Sequence, residues 1–442
     1  MNQSFFIKTY GCQMNEYDSE KLNELLKFSG YQPTSNFENS DIAILNTCHI
    51  REKASEKLYS DLGRLSTFKE NKKKIGKKMH IIVTGCVAQA EGEEILKRNK
   101  SVDFVFGPQN FHELPRILKK KKTKRVHNDF LYEEKFKSFS PSSEKNVSKL
   151  ITIQEGCDKF CSFCVVPYTR GKEFSRTVED IYAEAKTLVE CGAKEIIMLG
   201  QNVSSYKSTI LESGKNQDVF LGELCRILSQ IEGLKRIRYL TSHPIDINEE
   251  LINEHKKNIK LMPFLHLPIQ SGSDRILKSM NRKHSRKFYL DLIRLIKEKV
   301  KNMAFSSDFI VGYPGETEKD FEETLDLIEK VKFASSYSFK YSARPGTPSS
   351  TKKNIDDNVA SIRLKKIQQT LNSQQKEFNH SFLNDTVEVL FSNKGKKDNQ
   401  FVGRTPHLQP VHVFSKKNII GKILEVKIDR LTSFSFHGSI VT

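Results

Sequence analysis

Short apolar runs alternate with longer amphipathic stretches twice along this 442-residue chain, and that alternation restricts the fold more than any other feature. Over residues 3–118 the runs Phe5–Lys8, Ile42–Leu45, Ile81–Val83 and Phe104–Phe106 alternate with helical patterns near 16–29, 51–66, 89–98 and 110–118. Runs of that size are strand-length, and strand–helix repetition builds a parallel sheet covered by helices. A second series starts at Leu150, with candidate strands Ile151–Ile153, Glu195–Leu199, Ile237–Leu240, Phe264–Ile269, Ala304–Val311 and Ser336–Tyr341. Each of the first five is followed by a helical pattern. Five or six such units fall short of the eight, over about 250 residues, of a closed barrel, so a partial (β/α)6 barrel is expected, with function at the strand C-termini.

A polar helix near 361–379 leads into β-rich runs, Thr386–Phe391, Val411–Phe414 and Ile423–Ile428, broken by Gly395, Gly403 and Gly421. These suit a small all-β barrel. The expected fold class is therefore α/β: an N-terminal parallel α/β sheet domain (1–118), a basic linker (119–149), a partial barrel (150–375) and a C-terminal all-β barrel (376–442). The linker opens on Lys119–Lys122 and holds ten Lys/Arg against four Asp/Glu. It reads as an exposed connector that either touches phosphate or is merely solvated.

Lys+Arg minus Asp+Glu is 72 − 54 = +18, a balance suited to a polyanionic partner, nucleic acid first, although a lysine-rich composition alone would also produce it. The opening MNQSFFIKTY lacks a basic segment followed by an apolar one, and no run approaches 18 apolar residues. A cytoplasmic protein with no membrane partner is expected. Eight cysteines are too few for a disulfide scaffold in a chain of this length.

Three of them form a C-x3-C-x2-C run, Cys157, Cys161 and Cys164, directly after the first barrel strand. Three thiolates on one loop can hold three irons of a cubane cluster and leave the fourth open to a small molecule. Structural zinc is the alternative, but it wants four closed ligands and no fourth Cys or near His follows. A dispersed set, Cys12, Cys48 and Cys86, lies two to four residues past successive strands of the N-terminal domain. Strand C-termini of a parallel sheet share one edge, so these thiols should converge as a second site. Taken singly, each would read as a buried free thiol, the reading kept for Cys191 and Cys225. Further polar loops follow barrel strands: Gly200-Gln201-Asn202, Thr241-Ser242-His243-Pro244, Gln270-Ser271-Gly272-Ser273 and Gly312-Tyr313-Pro314-Gly315-Glu316. Together they ring the expected barrel mouth.

These residues resemble the radical S-adenosylmethionine (SAM) methylthiotransferases, and within them the tRNA-2-methylthio-N6-dimethylallyladenosine synthase (MiaB) branch. The resemblance is carried by YGCQMNEYDSE (10–20), NTCHIREKASEK (46–57), TGCVAQAEGEE (84–94), GCDKFCSFCVVPYTRGKEFSR (156–176), GQNVSSY (200–206), TSHP (241–244), HLPIQSGSDRIL (266–277), DFIVGYPGETEKDF (308–321) and YSARPGTPSS (341–350). It covers nearly the whole chain. It implies a radical-SAM barrel and a C-terminal TRAM domain. Cys157, Cys161 and Cys164 would hold a 4Fe-4S cluster that binds SAM, and Cys12, Cys48 and Cys86 an auxiliary 4Fe-4S cluster. One SAM would give the methyl group and another the 5′-deoxyadenosyl radical. Sulfur would enter at C2 of N6-isopentenyladenosine at position 37 of the tRNA anticodon loop, chemistry that needs a cofactor.

By the same resemblance, Gly200, Gln201 and Asn202 match the loop that meets the SAM amino group, and Phe163 the aromatic that flanks its adenine, with plain packing as the alternative. Gln270 and Arg176 are lesser SAM candidates. Lys394, Lys396, Lys397 and Arg404, with Phe401 nearby, would grip the anticodon stem-loop through phosphates and stacking. A one-electron donor such as flavodoxin or ferredoxin, a sulfur source for the auxiliary cluster and a monomeric state are expected. Related enzymes acting on threonylcarbamoyl-adenosine or on a ribosomal-protein aspartate are the alternatives in substrate. A non-enzymatic, metal-stabilised RNA-binding protein is the alternative in class.

Overall fold

Six parallel strands organise the N-terminal part of the computed structural model, which describes residues 3–48, 52–120, 123–139, 145–212, 215–433 and 435–441. They are β1 (Ser4–Thr9), β2 (Gln32–Pro33), β3 (Ile42–Thr47), β4 (His80–Gly85), β5 (Phe104–Phe106) and β6 (Val126–His127), in the spatial order β2-β1-β3-β4-β5-β6. β3 is buried along its whole length, as expected of a central strand covered on both faces. One face packs Ala43, Leu45, Ile81, Val83 and Val105 against the helix Glu52–Lys74, and the other packs Phe5, Ile42, Ile44, Ile82 and Phe106 under the helix Gln13–Phe28. Residues 1–143 form one compact unit together with 155–158 and 165–174.

The expected linker is corrected by the structure. Val126 and His127 pair with Val105 and Phe106 as the sixth strand, and Tyr132–Lys137 is a helix whose Lys135 is fully buried against Asp18 and Glu155. A two-residue strand is too short to show periodicity, and a lysine whose ammonium meets two carboxylates can be buried despite its charge. Lys121, Lys122 and residues 140–144 of that stretch lie outside the described residues, as do His49, Ile50 and Arg51 of the Cys48 motif.

The second unit comprises 144–154, 159–164 and 175–442. Its six barrel strands, all parallel, form two groups of three: Ser148–Thr152, Glu195–Leu199 and Arg236–Tyr239, then Phe264–His266, Ala304–Val311 and Ser335–Lys340. A bridge between Ile237 and Leu261 continues one group into the other. Among the described residues no pairing joins the first strand to the sixth, so the barrel is open. An antiparallel hairpin, Lys207–Glu212 with Lys215–Phe220, is inserted after the second strand and had no counterpart in the sequence reading.

The C-terminal strands Thr386–Lys394, Gln400–Arg404, Pro410–Phe414, Phe436–Ile440 and Ile423–Leu431 close a barrel in that order around Val389, Phe391, Phe401, Val411, Val413, Val426, Ile428 and Phe436. Two of these strands, Gln400–Arg404 and Phe436–Ile440, were absent from the sequence expectation. The expected border at 375/376 falls inside one unbroken helix, Asp357–His380, because no Gly or Pro interrupts that stretch. Arg236 donates to the Arg404 carbonyl at 2.7 Å and Arg238 to that of Pro406 at 2.6 Å, so the closed barrel is seated on buried guanidiniums of the third strand. Among the described residues no helix is long and apolar enough to cross a membrane.

Candidate functional site

Cys12, Cys48 and Cys86 follow three neighbouring parallel strands, β1, β3 and β4, at their C-terminal ends. Gly11, at φ +118°, lets the first approach the second, since a Cβ there would stand 2.2 Å from the Cys48 Cβ. Cys12 caps the helix Gln13–Phe28, where backbone N–H groups favour a thiolate, and Cys86 opens the helix Cys86–Glu91. A hydrogen bond with Cys48 lowers the Cys12 thiol to about 6, against the opposing effect of burial and with help from the Arg170 charge. Burial raises Cys86, and the neighbouring Arg170 partly offsets it. Asn46 Nδ2 braces this edge, donating to the Asn15 carbonyl and to Ser19 Oγ, each at 2.9 Å.

Arg170, Lys135, Asp18 and Glu155 form a buried ion network in the same unit. The sequence reading missed it. Arg170 and Asp18 stand inside quoted motifs, but burial, the property that marks them, has no local signature. None of the eight cysteines is in a disulfide. Among the described residues no three Cys, His, Asp or Glu side chains already stand at the spacing of a single metal ion.

The C-x3-C-x2-C loop is bound at defined points. Cys157 N–H donates to the Gly171 carbonyl at 3.1 Å, and Gly156, at φ +80°, leaves no room for a side chain because a Cβ would lie 1.8 Å from the Lys172 oxygen. In the second unit, Ser162 N–H donates to the Met280 carbonyl at 2.9 Å, while its hydroxyl meets the Ser279 carbonyl and Tyr313 Oη, each at 2.9 Å. Arg282 Nη1 donates to Cys161 Sγ at 3.6 Å and its other amino group is held by the Pro268 carbonyl. Phe163 packs against Ile276, Met280 and Tyr313.

Gln154 organises the Gly200-Gln201-Asn202 loop, its Oε1 accepting from the N–H groups of Gln201 at 3.0 Å and Asn202 at 3.2 Å. Asn202 Nδ2 donates to Asp246 at 2.7 Å, and Asp246 in turn pairs with Lys159 of the cysteine loop at 2.8 Å. Gln270 is buried in the left-handed region at φ +77°, fixed by backbone bonds to Asp308 and Ile310. Arg176 is engaged by the Thr152 carbonyl at 2.8 Å and by Glu184 at 2.7 Å, a bracing role.

Beside this loop lies a cluster of which the sequence reading named only Ser242 and His243, and missed Arg282 and His284. Ser242 Oγ, His243 Nε2, Arg282 Nε and both ring nitrogens of His284 are buried without a protein hydrogen-bond partner. The two imidazoles are 5.3 Å apart between centroids. His243 Nδ1 accepts from Ile245 N–H, so the neutral ring carries its proton on Nε2. Burial, then the Arg282 charge, lowers His243 to about 2 and His284 to about 3. Buried donors left open together mark a place for a polar ligand or ordered water.

On the C-terminal barrel, Lys394, Lys396, Lys397 and Arg404 are exposed, whereas Phe401 is 6% exposed and belongs to the barrel core. The expectation that Phe401 stacks on bases is therefore corrected: strand alternation turns it inward between Gln400 and Val402.

Three family profiles match the chain: the uncharacterized protein family UPF0004 over residues 4–107, the radical SAM superfamily over 151–328 and the TRAM domain over 381–441. The chain is 50% identical, over all of its length and all of theirs, to proteins named tRNA-2-methylthio-N(6)-dimethylallyladenosine synthase from Rickettsia rickettsii, Rickettsia canadensis and Rickettsia bellii. Among solved structures it is similar in fold to the radical S-adenosylmethionine methyltransferase TsrM from Kitasatospora setae, with a TM-score of 0.55, 12% identity, and 79% and 77% of the two chains covered. The cobalamin-dependent S-adenosylmethionine radical enzyme OxsB is similar with a TM-score of 0.53 and 14% identity, over 86% and 56%.

Proposed function

The chain belongs to the tRNA-2-methylthio-N(6)-dimethylallyladenosine synthase family of radical SAM enzymes, and from that premise we propose that its two cysteine triads hold two 4Fe-4S clusters serving one reaction. It is a tRNA methylthiotransferase. Its substrate position is N6-isopentenyladenosine 37 of the anticodon loop. The observation that carries the two-cluster reading is the placement of Cys12, Cys48 and Cys86 at the ends of three adjacent parallel strands, apart in sequence from the Cys157–Cys164 loop. The donor sets fit: three thiols each, one of them already acidified, and none committed to a disulfide.

When bound, the clusters and SAM supply C–H activation and the sulfur that replaces hydrogen. The chain's own residues do the positioning. Ser162, fixed by Ser279, Tyr313 and Met280, holds the middle of the cysteine loop, and Arg282 offers an N–H to the Cys161 thiolate. The Gln201–Asn202 loop, ordered by Gln154, and the open donors of Ser242, His243, Arg282 and His284 receive the polar groups of SAM. Exposed Lys394, Lys396, Lys397 and Arg404 bind RNA phosphates. A target adenine leaves its stack to reach the barrel mouth. A one-electron donor and a sulfur source complete the cycle.

Iron and sulfide counts of the anaerobically reconstituted protein test the reading. About eight irons are expected, falling to about four in the Cys157→Ala/Cys161→Ala/Cys164→Ala variant and to about four in the matching Cys12/Cys48/Cys86 variant. Four in the wild type, all lost with the loop cysteines, would remove the auxiliary cluster. Nucleoside mass spectrometry of isopentenylated tRNA, before and after reaction, tests the substrate.

A further inference from the structure

Four ionisable side chains are buried together near the auxiliary cysteines: Arg170 and Asp18 are 2% exposed, Lys135 and Glu155 fully buried. Lys135 Nζ lies 2.9 Å from Asp18 and also donates to Glu155. Arg170 Nη2 lies 2.9 Å from Asp18, and its Nη1 lies 3.1 Å from Glu155. Gln109 closes the set, donating to Glu155 at 3.0 Å.

Two cations and two carboxylates cancel in number, yet the two cations are not equivalent. Lys135 is spent between the carboxylates and the rings of Phe111 and Phe136, each centroid 5.3 Å away. Arg170 reaches past them. Its Nη2 meets Asn15 Oδ1 at 3.3 Å, and that oxygen is 4.0 Å from Cys12 Sγ. A planar fork with several donors satisfies Asp18, Glu155 and Asn15 at once. Burying such a charge is costly unless something anionic requires it, and three thiolates leave a cubane centre net anionic.

We propose that Arg170 is the counter-ion of the Cys12/Cys48/Cys86 cluster, a positioning residue fixed by Asp18 and Glu155 whose charge raises that cluster's reduction potential. This rests on the two-cluster reading. Reduction adds negative charge to the centre, so a fixed cation beside it stabilises the reduced form. Removing the cation lowers the potential, and removing an anion that faces the cation raises it.

The test uses full-length protein carrying Cys157→Ala, Cys161→Ala and Cys164→Ala, so that only the auxiliary cluster is present, with iron content and an EPR-monitored redox titration as readouts. Arg170→Gln is expected to keep about four irons and to make reduction at least tenfold less favourable, a drop of about 59 mV for a one-electron couple. Arg170→Lys should recover most of the potential, and Asp18→Asn should shift it the opposite way. Purely structural damage would move both variants in one direction. Unchanged potentials with iron retained would overturn the proposal. If Arg170→Gln loses its iron, the Asp18→Asn potential decides alone, an increase supporting the proposal and no increase overturning it. A parent triple variant that takes up no iron removes the two-cluster reading and the proposal with it, an outcome separable by iron content.

Discussion

Ser349 donates its hydroxyl to the Ser162 carbonyl at 2.8 Å and its backbone N–H to the same oxygen at 2.9 Å, clamping the middle of the cysteine loop from 187 residues away. The Tyr341 hydroxyl, 3.0 Å from Ser349 Oγ, steadies the clamp in turn. A short loop with three thiols has little packing of its own, so bonds of this kind set where its sulfurs stand.

Removing one clamp bond leaves buried polar atoms unmet. Ser349→Ala and Tyr313→Phe should each cost about 1–2 kcal/mol, read as a lowered melting temperature. Both should also slow SAM cleavage while leaving the iron count of the auxiliary site intact.

Phe401 and its lysine neighbours should behave in opposite ways. Phe401→Ala empties a core position of the small barrel and should cost about 3–5 kcal/mol, with loss of the barrel's cooperative unfolding. Lys394→Ala, Lys396→Ala and Lys397→Ala together should leave stability unchanged and weaken tRNA binding. The slope of its salt dependence should flatten by about 0.7–0.9 for each phosphate no longer neutralised. Binding titrations at several salt concentrations check this.

His284 provides an acid-stability test. Burial and the Arg282 charge hold its folded value at about 3, below the ordinary value of 6.5. Above pH 6.5 the ring is neutral folded or unfolded, and the group contributes no pH dependence. As pH falls from there towards 3, the unfolded chain takes up a proton that the folded one refuses, and stability is lost at up to about 1.4 kcal/mol per pH unit. His284→Gln should remove that share of the slope in melts of SAM-free protein between about pH 7 and pH 5.

Gly11→Ala places a Cβ 2.2 Å from the Cys48 Cβ at a backbone angle of φ +118°. The auxiliary site should fail to assemble, so reconstituted protein should carry about four irons, with SAM cleavage at the radical site persisting.

Cysteine spacing and strand–helix alternation made much of this legible without coordinates. β3, all six barrel strands and the order of the two triads could be read because strand-sized apolar runs and a C-x3-C-x2-C loop are local patterns. Val126–His127 could not, because two residues carry no period, and the helix that follows it was hidden behind a run of charge. Phe401 was misread for a related reason: an aromatic among lysines looks exposed until strand pairing with Val413 fixes which face it occupies.

The sequence by itself determined the chemistry available: which thiols exist, how three of them share one loop, and that the chain alternates strands and helices around them. Tertiary structure alone decided which charges meet those thiols. Arg170 stands 152 residues from Asp18 and 15 from Glu155 along the chain, and nothing in their neighbours distinguishes them from solvated side chains. Local residue order fixes torsional preference and amphipathic period, whereas burial of a charge depends on long-range packing that brings its partners within hydrogen-bond reach and excludes water from all of them together.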